Sequence, residues 1–295
     1  MEVSQHISSS KIQALIRLLE DPDPRINSVV KAKLVSYGKV VLPHIELAWH
    51  ADIHNQEHQE RTVEVLRQIQ IDDLKVKLQK WKDSSTRDLL EGTIIISQFQ
   101  FPDVDVAEIE AEIERIKQQV WLEINEDNTA FEIVKIFNHV LFDLCGFQPS
   151  KSNFHAPQNS YIDYVLKHKK GNPLSLSVLY SIIAQRLEIP IYGVNLPNQF
   201  VLGYLDENQT LKMLDANSDK NVLFYINPFS KGRIFDSNEI EGYLRSLNIP
   251  LKNNYIEPCS NTDILKRMLK NLSYSYQKVG ENGKVNELNE LQLIL

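Results

Sequence analysis

The sequence predicts an α+β fold that is mostly helical: a helical array, then a helix packed on an antiparallel sheet, then helices again. Three observations predict it. Apolar residues recur every three or four positions through residues 10–144, β-like segments separated by turn residues follow Pro190, and helical spacing returns after Asp236.

The chain of 295 residues has room for one large domain or two ordinary ones. Its 42% hydrophobic and 24% charged residues lie in the globular range, so a sizeable core can be buried. The expected division is a helical, HEAT-like array over 1–100, an α+β core with its leading helices over 101–250, and a C-terminal helical extension over 251–295.

The first helix is expected after Ser10, with Ile12, Leu15, Ile16 and Leu19 on one face, and Asp21-Pro22-Asp23-Pro24 breaks the chain, since each proline disfavours helix in the residue before it. A second carries Val29, Val30, Leu34 and Val35 and ends near Gly38; a third starts around Val40. An apolar helix, a DPDP break and another amphipathic helix resemble a HEAT-type repeat, and residues 54–82 read as a further helical pair. Ile109, Ile113, Ile116 and Val120 define one more helix, whose glutamates 108, 110, 112 and 114 are expected mostly in water. Another runs from about Asn128 and stops at Gly146.

After a loop over 148–160, Tyr161 to His168 forms a short helix. Asn172 suits an N-cap and Pro173 a first helical position, opening an apolar helix to about Leu187. Strands are expected at 191–194, 199–204, 211–214 and 222–226. Asp236 with Glu239 caps a helix through Leu247, Asn261 a long one bearing Ile264, Leu265, Met268, Leu269 and Leu272, and 284–295 packs back on it.

Composition also excludes partners. A net charge of -7, with Lys167-His168-Lys169-Lys170 as the one local basic cluster, argues against nucleic acid, because four residues neutralise few phosphates. The opening MEVSQHISSS is not a secretory signal, and no stretch approaches the roughly 20 apolar residues needed to span a bilayer. Two cysteines without CxxC spacing, Cys145 and Cys259, give no disulfide framework, so a cytoplasmic location is expected.

The segment PQNSYIDYVLKHKKGNPLSLSVLYSIIAQRLEIPIYGVNLPNQF resembles the core of the bacterial SirB-type transglutaminase-like family. That family has N-S-Y-L-x-x-V-L, then G-x-P-x-S-L-S-x-L-Y, then a proline followed by G-H-F. NPFSKGRIF at 227–235 is similar to its downstream D-P-F-x-G-G element, and the flanking helices fit its layout. The resemblance implies a transglutaminase or papain-like core. In that fold a cysteine at a helix N-terminus is the nucleophile, a histidine takes its proton, and an Asp or Asn orients the histidine.

Carried over by position, the thiol falls on Pro173, as the family's own pattern already has it, and the histidine on Gln199. A pyrrolidine ring is no nucleophile and a carboxamide is no general base near neutral pH. The acid position is Asp215 by generic spacing or Asn227 by the residue-by-residue match. Among substitutes, Ser175 and Ser177 read as capping or packing residues, Cys145 as a small hydrophobe, and Cys259 as a packed thiol that a helix dipole would otherwise activate. His50, His54 and His58 read as scattered surface residues rather than a metal site. His155 lies in the loop entering the core, where it is either structural or part of the cleft wall.

The expected cleft comprises Asn159, Ser160, Pro173, Ser175, Gln199, Asp215, Asn227 and His155, in binding or structural roles with no cofactor and no metal. The leading expectation is a non-catalytic scaffold or regulator that binds a protein or peptide. The alternatives are a hydrolase or acyl-transfer enzyme using Ser175 or Cys259 with His155, and a purely structural module whose groove is filled by its own side chains.

Overall fold

The computed structural model describes residues 8–51, 56–151, 155–207, 209, 213 and 221–295. Asp215, His54 and, apart from Met213, the expected strand at 211–214 lie outside them. The chain forms two compact units, residues 1–77 and 78–295.

The first unit holds α1 (Ser9–Leu18), α2 (Pro24–Ser36), α3 (Leu42–Ala51) and the beginning of α4 (Gln56–Asp83). Ile12, Ile16, Leu19, Val30, Leu34, Val41, Ile45, Val65 and Ile69 form its core. Asp23 caps α2 by accepting from the Arg25 N–H at 2.8 Å, with Pro24 at the first helical position. Asn27 and Arg61 donate to the Leu19 carbonyl at 2.8 and 2.7 Å, which fixes the break between α1 and α2. The helical pair expected over 54–82 is instead the single helix α4. Gln70-Ile71-Asp72-Asp73 contains no proline or glycine, so nothing stops the helix there.

The second unit begins inside α4. Trp81 Nε1 donates to the Asp88 carbonyl at 2.6 Å, the turn into α5 (Leu89–Ser97). That helix has no counterpart in the sequence reading. Every residue of it but Glu91 is buried, so it shows no amphipathic stripe. It packs on α8 (Ile162–His168) and α11 (Asn261–Lys278), all within the second unit.

α6 (Val106–Glu123) buries Ile109, Ile113, Ile116 and Val120. Glu112 departs from the expected solvated face: it pairs with Arg115 at 2.7 Å and Lys169 at 2.6 Å. These partners, the Arg115 hydrogen bond foremost, hold its carboxyl down at about 2. α7 (Ala130–Asn138) opens on a Thr129–Glu132 capping box, continues as a π-turn over His139–Leu144, and is followed by Gly146 at φ +75°.

Two short strands, β1 (Gln148–Pro149) and β2 (Lys170–Gly171), pair in parallel before α9 (Pro173–Arg186). Leu174 to Ala184 are all buried, which explains an apolar pattern on every side of α9. α9 packs against an antiparallel sheet in the order β3 (Ile191–Val194), β4 (Val201–Leu205), β5 (Val222–Asn227), β6 (Arg233–Phe235). Val194 pairs with Val201, Leu202 with Ile226, and Ile226 with Ile234. The third strand of that order follows directly on the second among the described strands, and β6 was not foreseen because three residues carry too little pattern.

α10 (Ser237–Ser246), capped by Asp236, adds Ile240 and Leu244 to a core with Val194, Leu196, Val201 and Tyr225. α11 is capped by Ser260 rather than Asn261: Ser260 Oγ accepts from the Asp263 N–H while the Asp263 carboxylate accepts from the Ser260 N–H. Asn261 bonds instead to Gln185 and the Arg87 carbonyl. α12 (Asn282–Gln292) packs back on α11. No helix among the described residues is long and apolar enough to cross a membrane.

Candidate functional site

The start of α9, the position to which the family resemblance assigns a nucleophile, is a closed cap. Asn172 Oδ1 accepts from the Ser175 N–H at 2.9 Å, and the Asn172 N–H donates to Ser175 Oγ at 2.9 Å. Asn172 Nδ2 donates to Ser160 Oγ at 2.9 Å, and all three residues are buried. The Ser175 hydroxyl also faces the Asn172 carbonyl at 3.3 Å, so its hydrogen bonds among the described residues all go to one partner. Gly171 makes this possible, because a Cβ there would lie 2.6 Å from Ser175 Oγ. The glycine, proline and serine of this motif therefore have a structural reason that needs no chemistry.

Beside the cap lies a cavity of about 460 Å³. Pro173, Gln199 and His155 line it, whereas Asn159, Ser160 and Ser175 do not; Asn159 and Ser160 sit buried in the turn before α8. Gln199 also lines a second cavity of about 220 Å³ with Asn227, so these two residues share a wall. Asn227 accepts from the Ser230 N–H at 3.3 Å and caps its own turn. Farther round, Gly232 at φ +71° leaves no room for a side chain: its Cβ would fall 1.7 Å from Asn138 Oδ1. Asn138 Nδ2 donates to the Gly232 carbonyl at 2.9 Å, which ties NPFSKGRIF to α7.

Besides Ser275, four lining residues come from α11 and were missed in the sequence: Arg267, Lys270, Asn271 and Tyr274. Their signal was present, since positions i, i+3, i+4 and i+7 form a polar stripe beside the apolar face of Ile264, Met268 and Leu272. Asn198, at φ +59°, completes the wall next to Gln199. His155 meets the Tyr274 ring edge-on at 5.5 Å between centroids.

Electrostatics divide the site. Arg267 Nη1 donates to Asn195 Oδ1 at 3.1 Å, and burial lowers its pKa, the nearby Tyr243 hydroxyl and Cys259 thiol opposing this. A guanidinium so placed still stays charged near neutral pH. Burial raises the Tyr243 hydroxyl, offset by the Arg267 charge and a hydrogen bond from Gln199. The Cys259 thiol is pushed up to about 12, by burial first and then by the Asp263 carboxylate. Such a thiol is protonated and a poor nucleophile near neutral pH. Cys145 Sγ lies 3.3 Å from Gln119 Oε1 and 3.9 Å from Arg115, so it is not purely a packing residue. His58 is buried, 3.7 Å from Glu20, and not at the surface as expected. Among the described residues no three His, Cys, Asp or Glu side chains are grouped to hold a metal ion.

Comparison with known proteins covers the same stretch. The Transglutaminase-like superfamily profile matches residues 107–270. The chain is 26% identical over 200 residues to a UPF0162 protein of Xylella fastidiosa, covering 66% of each. It is 29% identical over 201 residues to human F-box only protein 21, covering 60% of this chain and 31% of that protein. Over 190 residues it is 24% identical to Protein SirB1 of Salmonella typhimurium, covering 63% of this chain and 66% of that one. No solved structure matches.

Proposed function

The chain belongs to the transglutaminase-like superfamily, in keeping with a SirB-type family, and from that premise we propose that it is a non-catalytic member whose cleft binds a protein or peptide partner. One observation carries the reading. At the helix start to which the family resemblance assigns the thiolate, a pyrrolidine ring and a buried capping box stand, and the residue the same resemblance assigns to the histidine is an exposed amide, Gln199. The residual candidates are unsuited to attack: the Ser175 hydroxyl is engaged by Asn172, and the Cys259 thiol is held protonated.

The cleft residues Pro173, Gln199, Asn227 and His155 then serve recognition, and Asn159, Ser160 and Ser175 support them from behind. The N-terminal helices are read as a HEAT-like surface for protein contact, and the location as cytoplasmic. The F-box in the name of one relative accords with a role in protein interaction. The two bacterial relatives are matched over about two thirds of their length, so any activity of the whole proteins is left to them.

Two measurements test the reading. The full chain, assayed against ester, amide and glutamine-amine transfer substrates, is expected to match its own Ser175→Ala and Cys259→Ser variants. Turnover that either substitution abolishes overturns the proposal. Affinity capture from the native cell is expected to recover a partner whose yield falls with Gln199→Ala; equal recovery counts against the cleft.

A further inference from the structure

We infer that the 460 Å³ cavity takes a carboxylate of a peptide, with Arg267 and Lys270 as its counter-ions and the amides of Asn198, Gln199 and Asn271 facing the peptide's own backbone. This deepens the peptide-binding reading and rests on it.

The charge distribution argues for an anion. Arg267 is half-buried, yet its one hydrogen-bond partner among the described residues is the neutral Asn195 side chain. Its remaining electrostatic neighbours, the Tyr243 hydroxyl and the Cys259 thiol, are both protonated at neutral pH. A guanidinium withdrawn from water without a carboxylate costs stability that a ligand carboxylate recovers on binding. Lys270, one turn along α11, points at the same space and has no ion pair among the described residues. Among the described residues no Asp or Glu lines the cavity, although the chain as a whole is acidic at -7. The donor geometry favours carboxylate, because Asn195 takes only an Nη1–H and no hydrogen bond among the described residues engages the Nε–H or Nη2 donors, the in-plane fork that pairs with a planar acceptor.

The remaining wall argues for a peptide rather than a bare ion. Three carboxamides can each donate and accept, as a peptide bond requires. The edge-on pair His155 and Tyr274 adds an aromatic side to an opening that Pro173, Leu174 and Phe200 also make partly apolar, as a peptide's side chains and Cα groups would need. A volume of about 460 Å³ lies within the usual range for small-ligand sites, about 300–1,000 Å³, room for a short segment.

The test uses the full chain, labelled with nitrogen-15, and three dipeptides of equal size. N-acetyl-glutamyl-alanine amide carries its carboxylate on the side chain, N-acetyl-glutaminyl-alanine at the C-terminus, and N-acetyl-glutaminyl-alanine amide carries none. Saturable movement of the Arg267 Nε–H resonance is expected with one or both acids, which identifies the source, and not with the neutral compound. Lys270→Ala, a change at an exposed position, should weaken binding about tenfold, the scale of one charge-assisted contact, with recovery in Lys270→Arg. Arg267→Met, followed at the side-chain amide resonances of Asn198, Gln199 and Asn271, should abolish binding, with a melting curve confirming that the variant is folded. Equal binding of all three dipeptides, or unchanged affinity in Lys270→Ala, overturns the inference. If carboxylate binding fails while Gln199-dependent capture persists, this inference falls and the peptide reading stands. If the acids bind but no Gln199-dependent partner exists, the pocket chemistry stands and the peptide reading falls.

Discussion

Two helices meet the same cavity in opposite ways. The N-terminus of α9 is closed on itself: Asn172, Ser175 and Ser160 satisfy one another in a buried network. The polar stripe of α11 is open, with Arg267 and Lys270 lacking any carboxylate among the described residues. The position that would carry chemistry in this fold thus contributes to stability, and the polarity available for a ligand comes from the facing helix. Substitutions on the two sides should separate cleanly into those that unfold and those that unbind.

The largest effect is expected on the closed side. Asn172→Ala removes an N-cap and leaves the Ser160 hydroxyl and the Ser175 N–H without their partner, at a combined cost of about 2–3 kcal/mol. Urea denaturation should show a lowered midpoint with an unchanged slope. A loss below about 0.5 kcal/mol would mean that the cap is not what holds this helix start, since caps ordinarily contribute about 0.5–2 kcal/mol.

Alkaline titration gives the next effect and asks whether the open side hides a reactive thiol. The Cys259 pKa of about 12 compares with roughly 8.5 in an unfolded chain. Above pH 8.5 the unfolded state loses this proton first, so the stabilisation present at lower pH falls away until the folded pKa is passed. The slope contributed is at most about 1.4 kcal/mol per pH unit, and Cys259→Ala should remove it. Tyr225, also raised to about 12 by burial and then by Glu257, steepens the decline from about pH 10 in both chains. Rapid alkylation of the folded chain at pH 7 would contradict the assignment and reopen Cys259 as a nucleophile.

Arg267→Met should behave as the mirror image of Asn172→Ala. Replacing a desolvated, unpaired guanidinium with an apolar side chain of similar reach is expected to shift stability by about 1 kcal/mol or less, with a gain as plausible as a loss. Thermal melting checks this directly. A loss as large as that of Asn172→Ala would make Arg267 a structural residue and erase the contrast between the two helices.

The sequence made the closed side legible and the open side hard to see, for a physical reason. Gly171-Asn172-Pro173 and Ser175 are adjacent in the chain, so cap chemistry predicts their mutual bonds. Gln199 and Pro173 were found through the family's motif. Arg267, Lys270, Asn271 and Tyr274 are nearly 100 residues from Pro173, and their stripe looks like any solvated helix face until the fold places it at the cavity. α5 was invisible because burial on every side erases periodicity, and the fused helix α4 was misread because apolar spacing shows faces better than it shows continuity. The Gly232–Asn138 contact pairs residues 94 apart, and no local pattern reports that a Cβ would collide there.

The smallest effect sharpens how the closed side is anchored. Glu112 of α6 reaches Lys169, the residue at φ +56° that ends α8 three positions before the Asn172 cap. Its carboxyl is held at about 2, the Arg115 hydrogen bond being the largest cause, so this stabilisation is complete above about pH 4.5 and is lost as pH falls through 2. The pair is partly exposed and screened by salt, so Glu112→Gln should cost about 0.5 kcal/mol near neutral pH and nothing once the carboxyl is protonated. Parallel acid titrations of the two chains would show stability curves that converge toward pH 2. If instead the variant binds an acidic dipeptide less well while folding normally, the anchoring of α8 reaches across the cavity, and the two helices are coupled rather than independent.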